Sequence, residues 1–172
     1  GQVPYFGVVG DFVDILKNDV VGGTKAVWMI VQAWGAVTEK EIRFQSYQAI
    51  IHGATGIFFW HAGGTWSLVM PDAQNVAQEL IDLQLLITAH TIPSSITTTP
   101  GIETMVKELN GNYFIITVNR LNTIVNAQFD LASLGITSNG GIGVINEGRY
   151  RTMINGVFSD TFSAFDTNIY QI

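Results

Sequence analysis

The sequence contains no cysteine, which excludes disulfides, thiolate nucleophiles and zinc-thiolate centres and leaves the redox compartment open. Charge is also scarce: Asp, Glu, Lys and Arg make up 13% of the 172 residues, with 8 basic against 14 acidic side chains and a formal net charge of −6. No run of Lys or Arg occurs, so a phosphate backbone or an anionic bilayer finds nothing to hold, and neither nucleic acid nor membrane is expected as a partner. Apolar stretches are broken by Gly, Gln or charge long before the roughly 20 residues that a membrane helix requires. No basic segment followed by an apolar one stands at Gly1, so a signal peptide lies upstream of it or is absent, and Gly1 is not expected to be a natural start. Metal-ligand spacings, a phosphate-binding glycine loop after a strand and a Gly-x-Ser-x-Gly elbow are all lacking, so no metal or cofactor is expected.

What is present is apolar: 47% hydrophobic residues suffice for the core of one ordinary domain or two small ones. The aromatic distribution divides the chain. Trp28, Trp34, Trp60 and Trp66, with His52, His61 and His90, all precede residue 91, and nothing after it is Trp or His. The Thr/Ser/Pro-rich stretch from Thr91 to Pro100 has the composition of a connection, which predicts domains over 1–92 and 93–172. Abundant Thr, Asn and Gly with few Lys suits an extracellular or periplasmic protein.

The first part alternates helix and strand. Val9, Phe12, Val13, Leu16 and Val20 fall on one helical face, closed by Gly22-Gly23. Lys25–Trp34 is a continuous apolar run rich in β-formers, as in a parallel strand covered on both faces, which places Trp28 in the core. Thr38 and Glu41 form a capping box opening a helix through His52, with Gly53 at its C-terminal cap. Ala54–Trp60 reads as a second buried strand, and after a Gly-rich loop Asp72 begins a helix with Val76, Leu80, Leu83 and Ile87 on one stripe. Two parallel strands joined by a crossover helix leave both sheet edges unpaired. Further strands are expected from a longer parent polypeptide, a second chain or a symmetry partner. The second part changes to short alternating runs, Ile102–Leu109, Asn112–Arg120, Thr123–Leu131, Gly141–Tyr150 and Thr161–Ile172, punctuated by Asn110-Gly111, Ser138–Gly141 and Asn155-Gly156, which predicts an antiparallel β-sandwich.

Lys25–Trp34, the Thr38-x-x-Glu41-Ile-Arg43 start and Tyr47-x-Ala-Ile-Ile-His-Gly-Ala-Thr-Gly-Ile-Phe-Phe-Trp60 resemble the seventh and eighth strand-helix units of (β/α)8-barrel (TIM-barrel) glycoside hydrolases. The Asn119 hairpin and the ending from Asp160 to Ile172 resemble the β-sandwich that follows the barrel in many of them. The resemblance implies an α/β plus all-β chain: a partial barrel whose earlier strands lie before Gly1, then a sandwich. Its partners would be an oligo- or polysaccharide and the remainder of the barrel, from the same polypeptide or a second chain. Because barrel active sites sit at the C-terminal ends of the strands, Gln32, Trp34, Trp60, His61 and Trp66 become candidate substrate-binding residues. Trp60 matches the Trp that floors the sugar site in such barrels, stacking on a pyranose face.

One position departs from the family. Retaining barrels carry their nucleophilic Glu at the end of strand seven, where this sequence has Gln32, and an amide cannot form a glycosyl ester. Catalytic carboxylates are therefore not assigned. The parent uses acids from other strands, runs a different mechanism, or binds sugar without cleaving it. The candidates also have plainer readings: Gln32 as a satisfied core amide, Trp60 as a barrel cap, His61 as a structural histidine, Trp66 folded back on its own domain, and Trp34 past the strand without lining the cleft. Glu41 is explained by capping, Arg43 by an ion pair with Glu39 or a neighbouring helix, and His52 by the helix dipole.

Overall fold

The computed structural model describes residues 6–19, 25–61, 66–93 and 96–172; of Trp66 and Thr97 it describes the backbone alone. The expected Gly22-Gly23 stop and the Gly63-Gly64 loop lie outside these residues. The chain divides into two compact units, Gly1–Leu83 and Gln84–Ile172.

In the first unit a 3-10 turn, Phe6–Val8, leads into α1 (Val9–Asp19); β1 (Trp28–Gln32), α2 (Glu39–Ile51), β2 (Gly56–Trp60) and α3 (Trp66–Asp82) follow. The strands are parallel and adjacent, paired from Trp28↔Gly56 to Gln32↔Trp60, with α2 as the crossover. α2 starts where Thr38 and Glu41 predict. The Glu41 carboxylate accepts from the Thr38 N–H at 2.8 Å, and the Glu41 N–H donates to the Thr38 hydroxyl at 3.4 Å. It ends in a Schellman motif: Gly53, at φ 93°, donates to the Ile50 carbonyl and Ala54 to that of Ala49. From Ile42 to Ile50 α2 is buried almost all round, which suits a helix lying between α1, α3 and the sheet.

α1 approaches α2 closely because Gly10 has no side chain; a Cβ there would fall 2.4 Å from His52 Nε2. Asp14 then reaches His52 Nδ1 at 2.8 Å, and Lys17 donates to the His52 carbonyl at 3.0 Å. Of the predicted α1 stripe, Val9 and Val13 are buried with Val27 and Ala49, whereas Phe12 and Leu16 are exposed. α3 begins six residues before the predicted Asp72 and carries Pro71 inside it. The proline is accommodated inside the helix at the cost of one helical hydrogen bond.

The second unit opens with α4 (Gln84–Ile87) and contains β3 (His90–Ile92), β4 (Thr97–Thr98), β5 (Ile102–Leu109), β6 (Asn112–Asn119), β7 (Val125–Asp130), β8 (Gly140–Val144), β9 (Arg149–Met153), β10 (Val157–Phe162) and β11 (Thr167–Gln171). They form two antiparallel sheets, of order β3-β5-β6-β11-β8-β9 and β10-β7-β4. Inward residues of both sheets share one core, with Phe129 stacked on Phe158 at 4.6 Å and Tyr170 edge-on to Phe158 at 5.0 Å. Each such ring pair is worth about 0.5–1.5 kcal/mol beyond its area burial. Asn110-Gly111 makes the predicted hairpin, both residues with positive φ. The run read as Gly141–Tyr150 is two strands, because Asn146 and Gly148 take positive φ and turn the chain between β8 and β9. The run read as Thr161–Ile172 is likewise broken, at Phe165 with φ 54°.

Candidate functional site

The C-terminal ends of β1 and β2 bring Gln32 and Trp60 into register as neighbours, and the Ala33 N–H donates to the Trp60 carbonyl at 2.8 Å. Strand side chains alternate, so Trp28, Ile30 and Gln32 share one face with Phe58 and Trp60. That face is open among the described residues. Trp28, Ile30, Phe58 and Trp60 are 60%, 57%, 50% and 57% exposed, while Val31, pointing the other way toward α2, is buried. Trp28, expected in the core, therefore lies on the uncovered face, its ring over Gly56, where a Cβ would come within 2.8 Å of Trp28 Cδ1. Among the described residues β1 and β2 pair only with each other.

Past the strand, Trp34 is 42% exposed and Gly35 turns the chain at φ 78°. The Gln32 side-chain amide donates to the Trp34 carbonyl at 3.3 Å and so ties the strand end to that turn. Gln45, buried on α2, accepts from the Gln32 N–H at 3.0 Å and donates to the Gln32 and Glu41 carbonyls at 3.3 and 3.2 Å. Sequence reasoning missed Gln45, one of several polar residues on α2 and marked out by no motif. His61 follows Trp60 and is half-buried, and Trp66 begins α3 with its side chain outside the described atoms. The structure thus brings Gln32, Trp34, Trp60 and His61 to one end of the β1–β2 pair.

No Asp or Glu occurs in 25–38 or 54–71, the segments around these strand ends. The two carboxylates that open α2 after the first segment are engaged: Glu41 in the capping box, Glu39 with Asn75 at 2.7 Å. Arg43 pairs with Glu79 of α3, the Nε donating at 2.8 Å and Nη2 at 2.9 Å, and lies 5.2 Å over the Tyr47 ring. Tyr47 donates to Glu79 at 2.8 Å; burial first, then the Glu79 charge, push its hydroxyl far above the usual phenol range, so it stays a donor. These groups fasten α2 to α3. The strand ends offer indoles, an amide and an imidazole, which suit a neutral ligand with an apolar face and hydroxyl edges; they offer no ionisable acid for bond cleavage.

A second polar cluster lies in the other unit. Asp160 on β10, fully buried, accepts from Arg151 Nε at 2.8 Å, from Tyr170 Oη at 2.8 Å, from the Thr161 N–H at 2.8 Å and from Arg149, which also pairs with Glu147. Burial raises the Asp160 carboxyl, but the bonds from Arg151, Arg149, Tyr170 and Thr161 outweigh it and hold it below its usual value. An open depression of about 460 Å³ beside it is lined by Asn126, Arg151, Ser159, Asp160 and Thr161. Its carboxylate is saturated by internal donors, so this cluster reads as structural. Among the described residues no group of three or more His, Asp or Glu side chains could hold a metal ion, and no helix is long and apolar enough to cross a membrane.

No family model matches the chain. No curated protein matches it in sequence either. Solved structures do match in fold. A noncanonic maltogenic alpha-amylase, AmyB, from Thermotoga neapolitana aligns with a TM-score of 0.57 at 9% identity, over 94% of this chain and 44% of that one. A GH30 endoxylanase from Clostridium papyrosolvens gives 0.56 at 14% identity, over 95% and 45%. An alpha-amylase from Geobacillus thermoleovorans gives 0.59 at 7% identity, over 97% and 46%. The chain thus spans less than half the length of the enzymes it matches. At these identities the likeness is one of fold alone: mixed α/β followed by antiparallel sheet, similar to part of those glycoside hydrolase chains.

Proposed function

We propose that this chain is the C-terminal portion of a carbohydrate-active (β/α)8-barrel protein, with β1 and β2 as its last two barrel strands and the second unit as a β-sandwich, and that Gln32, Trp34, Trp60, His61 and Trp66 line part of its saccharide cleft. The observation that carries the reading is the uncovered apolar face of Trp28, Ile30, Phe58 and Trp60 on a parallel pair. Parallel sheets are ordinarily covered on both faces, and four large apolar side chains in one patch call for a covering layer. The remainder of the barrel, in the same polypeptide or a second chain, supplies it. In a closed barrel the ring of Trp60, at the strand end, is the platform over which a sugar sits. Extracellular or periplasmic placement suits a polysaccharide partner.

The test is isothermal titration of the polypeptide that carries this chain with maltotriose and xylotriose, together with turnover on a glycoside panel. Trp60→Ala is expected to weaken binding by about tenfold or more, in line with loss of one stacking platform. Undiminished binding in Trp60→Ala, or robust hydrolysis by the 172 residues alone, would overturn the reading. The absence of Asp or Glu around both strand ends favours a second reading, a non-catalytic carbohydrate-binding or scaffold protein. It predicts saccharide binding with no turnover even by the complete polypeptide.

A further inference from the structure

Hydrogen-bond directions alternate along β1. The Thr55 N–H donates to the Val27 carbonyl and the Ala33 N–H to the Trp60 carbonyl, both at 2.8 Å, so the backbone groups of Val27, Met29, Val31 and Ala33 face β2. Those of Trp28, Ile30 and Gln32 therefore point to the opposite edge, which no other strand among the described residues occupies. At Trp28 and Ile30 that edge is available to a further strand. At Gln32 it is taken: the single amide of Gln45 accepts from the Gln32 N–H and donates to its carbonyl, the same pair of bonds a neighbouring strand would make. The other proton on Gln45 Nε2 goes to the Glu41 carbonyl, so the amide is locked from the α2 side. A buried amide with both donors and its acceptor used is held in one orientation.

We propose that Gln45 is a positioning residue that terminates the outer edge of β1 by standing in for a strand at its last rung, so that any parallel strand added there pairs through Trp28 and Ile30 and stops short of Gln32. After the last bond to β2, from the Ala33 N–H, the chain leaves the sheet, and Gln32 with Trp34 is presented to the saccharide; this second half rests on the cleft reading above.

Amide exchange by NMR on the full 172-residue chain tests the first half. In Gln45→Ala the Gln32 amide is expected to exchange about tenfold or more faster, while Val31 and Ala33, bonded toward β2, change little. In Gln45→Glu, which keeps an acceptor and loses both donors, Gln32 retains part of its protection. An equal rise at all three amides would mean a general loosening and would overturn the proposal. The second half is read by titrating maltotriose and xylotriose into the polypeptide that carries this chain. A selective exchange effect with unchanged affinity removes the presenting role. If the unmutated polypeptide binds neither sugar, the cleft reading fails, and edge termination stands or falls on the exchange data alone.

Discussion

Asp160→Asn removes the one negative charge at the centre of the buried cluster of the second unit. The native carboxylate takes bonds from two guanidinium groups, a phenol and a backbone N–H. An asparagine of the same shape turns an NH2 toward some of these donors and leaves two Arg side chains facing no charge there. Because both guanidinium groups keep part of their solvent and Arg149 keeps Glu147, the loss is set by the charge-assisted hydrogen bonds, at about 1.5–3 kcal/mol, and not by a stranded buried charge. A unit of this size is expected to hold only about 4–13 kcal/mol in total. Hydrogen exchange at the amides of β10 and β11 should therefore accelerate by roughly ten- to hundredfold, at about 1.4 kcal/mol per tenfold. The same experiment has a pH signature. The folded Asp160 carboxyl is held below the usual aspartate value by its donors, so its contribution is fully present above that usual value and is lost as the pH falls through the folded one. Wild-type protection should decline in that acid window, and the variant should lack that component. An acceleration below about tenfold, or an unchanged acid decline in Asp160→Asn, would refute the assignment of this network as a stabilising one.

Four further outcomes are expected. Gly156→Ala puts a Cβ 2.1 Å from the Ile136 carbonyl oxygen at a residue with φ 77°, and should destabilise the second unit by about 2 kcal/mol or more in urea melts, through strain and the clash together. Phe129→Ala empties the centre of the aromatic core and should cost about 3–5 kcal/mol in the same melts. Arg43→Lys keeps the charge but not the two-nitrogen grip on Glu79, and should lower first-unit stability by about 1–2 kcal/mol, measured by thermal melting. Thr38→Ala should cost about 1 kcal/mol through loss of the cap, read by the same method.

Local chemistry made much of this fold legible. The Thr38–Glu41 box, Gly53 and Asn110-Gly111 are short-range signals, each satisfied within a few residues, and each forms where the sequence places it. Strand ends were harder. The turns at Asn146–Gly148 and Phe165 put non-glycine residues in the left-handed region, which composition does not announce, so two pairs of strands read as single runs. The start of α3 reads as Asp72, six residues late, because a proline inside a helix interrupts the local signal that the backbone itself carries through. At the candidate site the strand-end residues were visible as aromatic and amide groups closing apolar runs. Gln45 was not, because its role depends on a contact across 13 residues that no periodicity encodes. Trp28 was placed in the core by the same apolar run that, on a two-stranded sheet, leaves it facing outward.

The confinement of every tryptophan to the first unit gives the molecule an optical partition. The second unit absorbs and emits through tyrosine alone, Tyr113, Tyr150 and Tyr170, so indole fluorescence reports on one unit without any label. Because Trp28 and Trp60 stand in solvent on the sheet face, arrival of a covering layer should move their emission to shorter wavelength, and the colour of the light becomes a readout of whether that face is occupied.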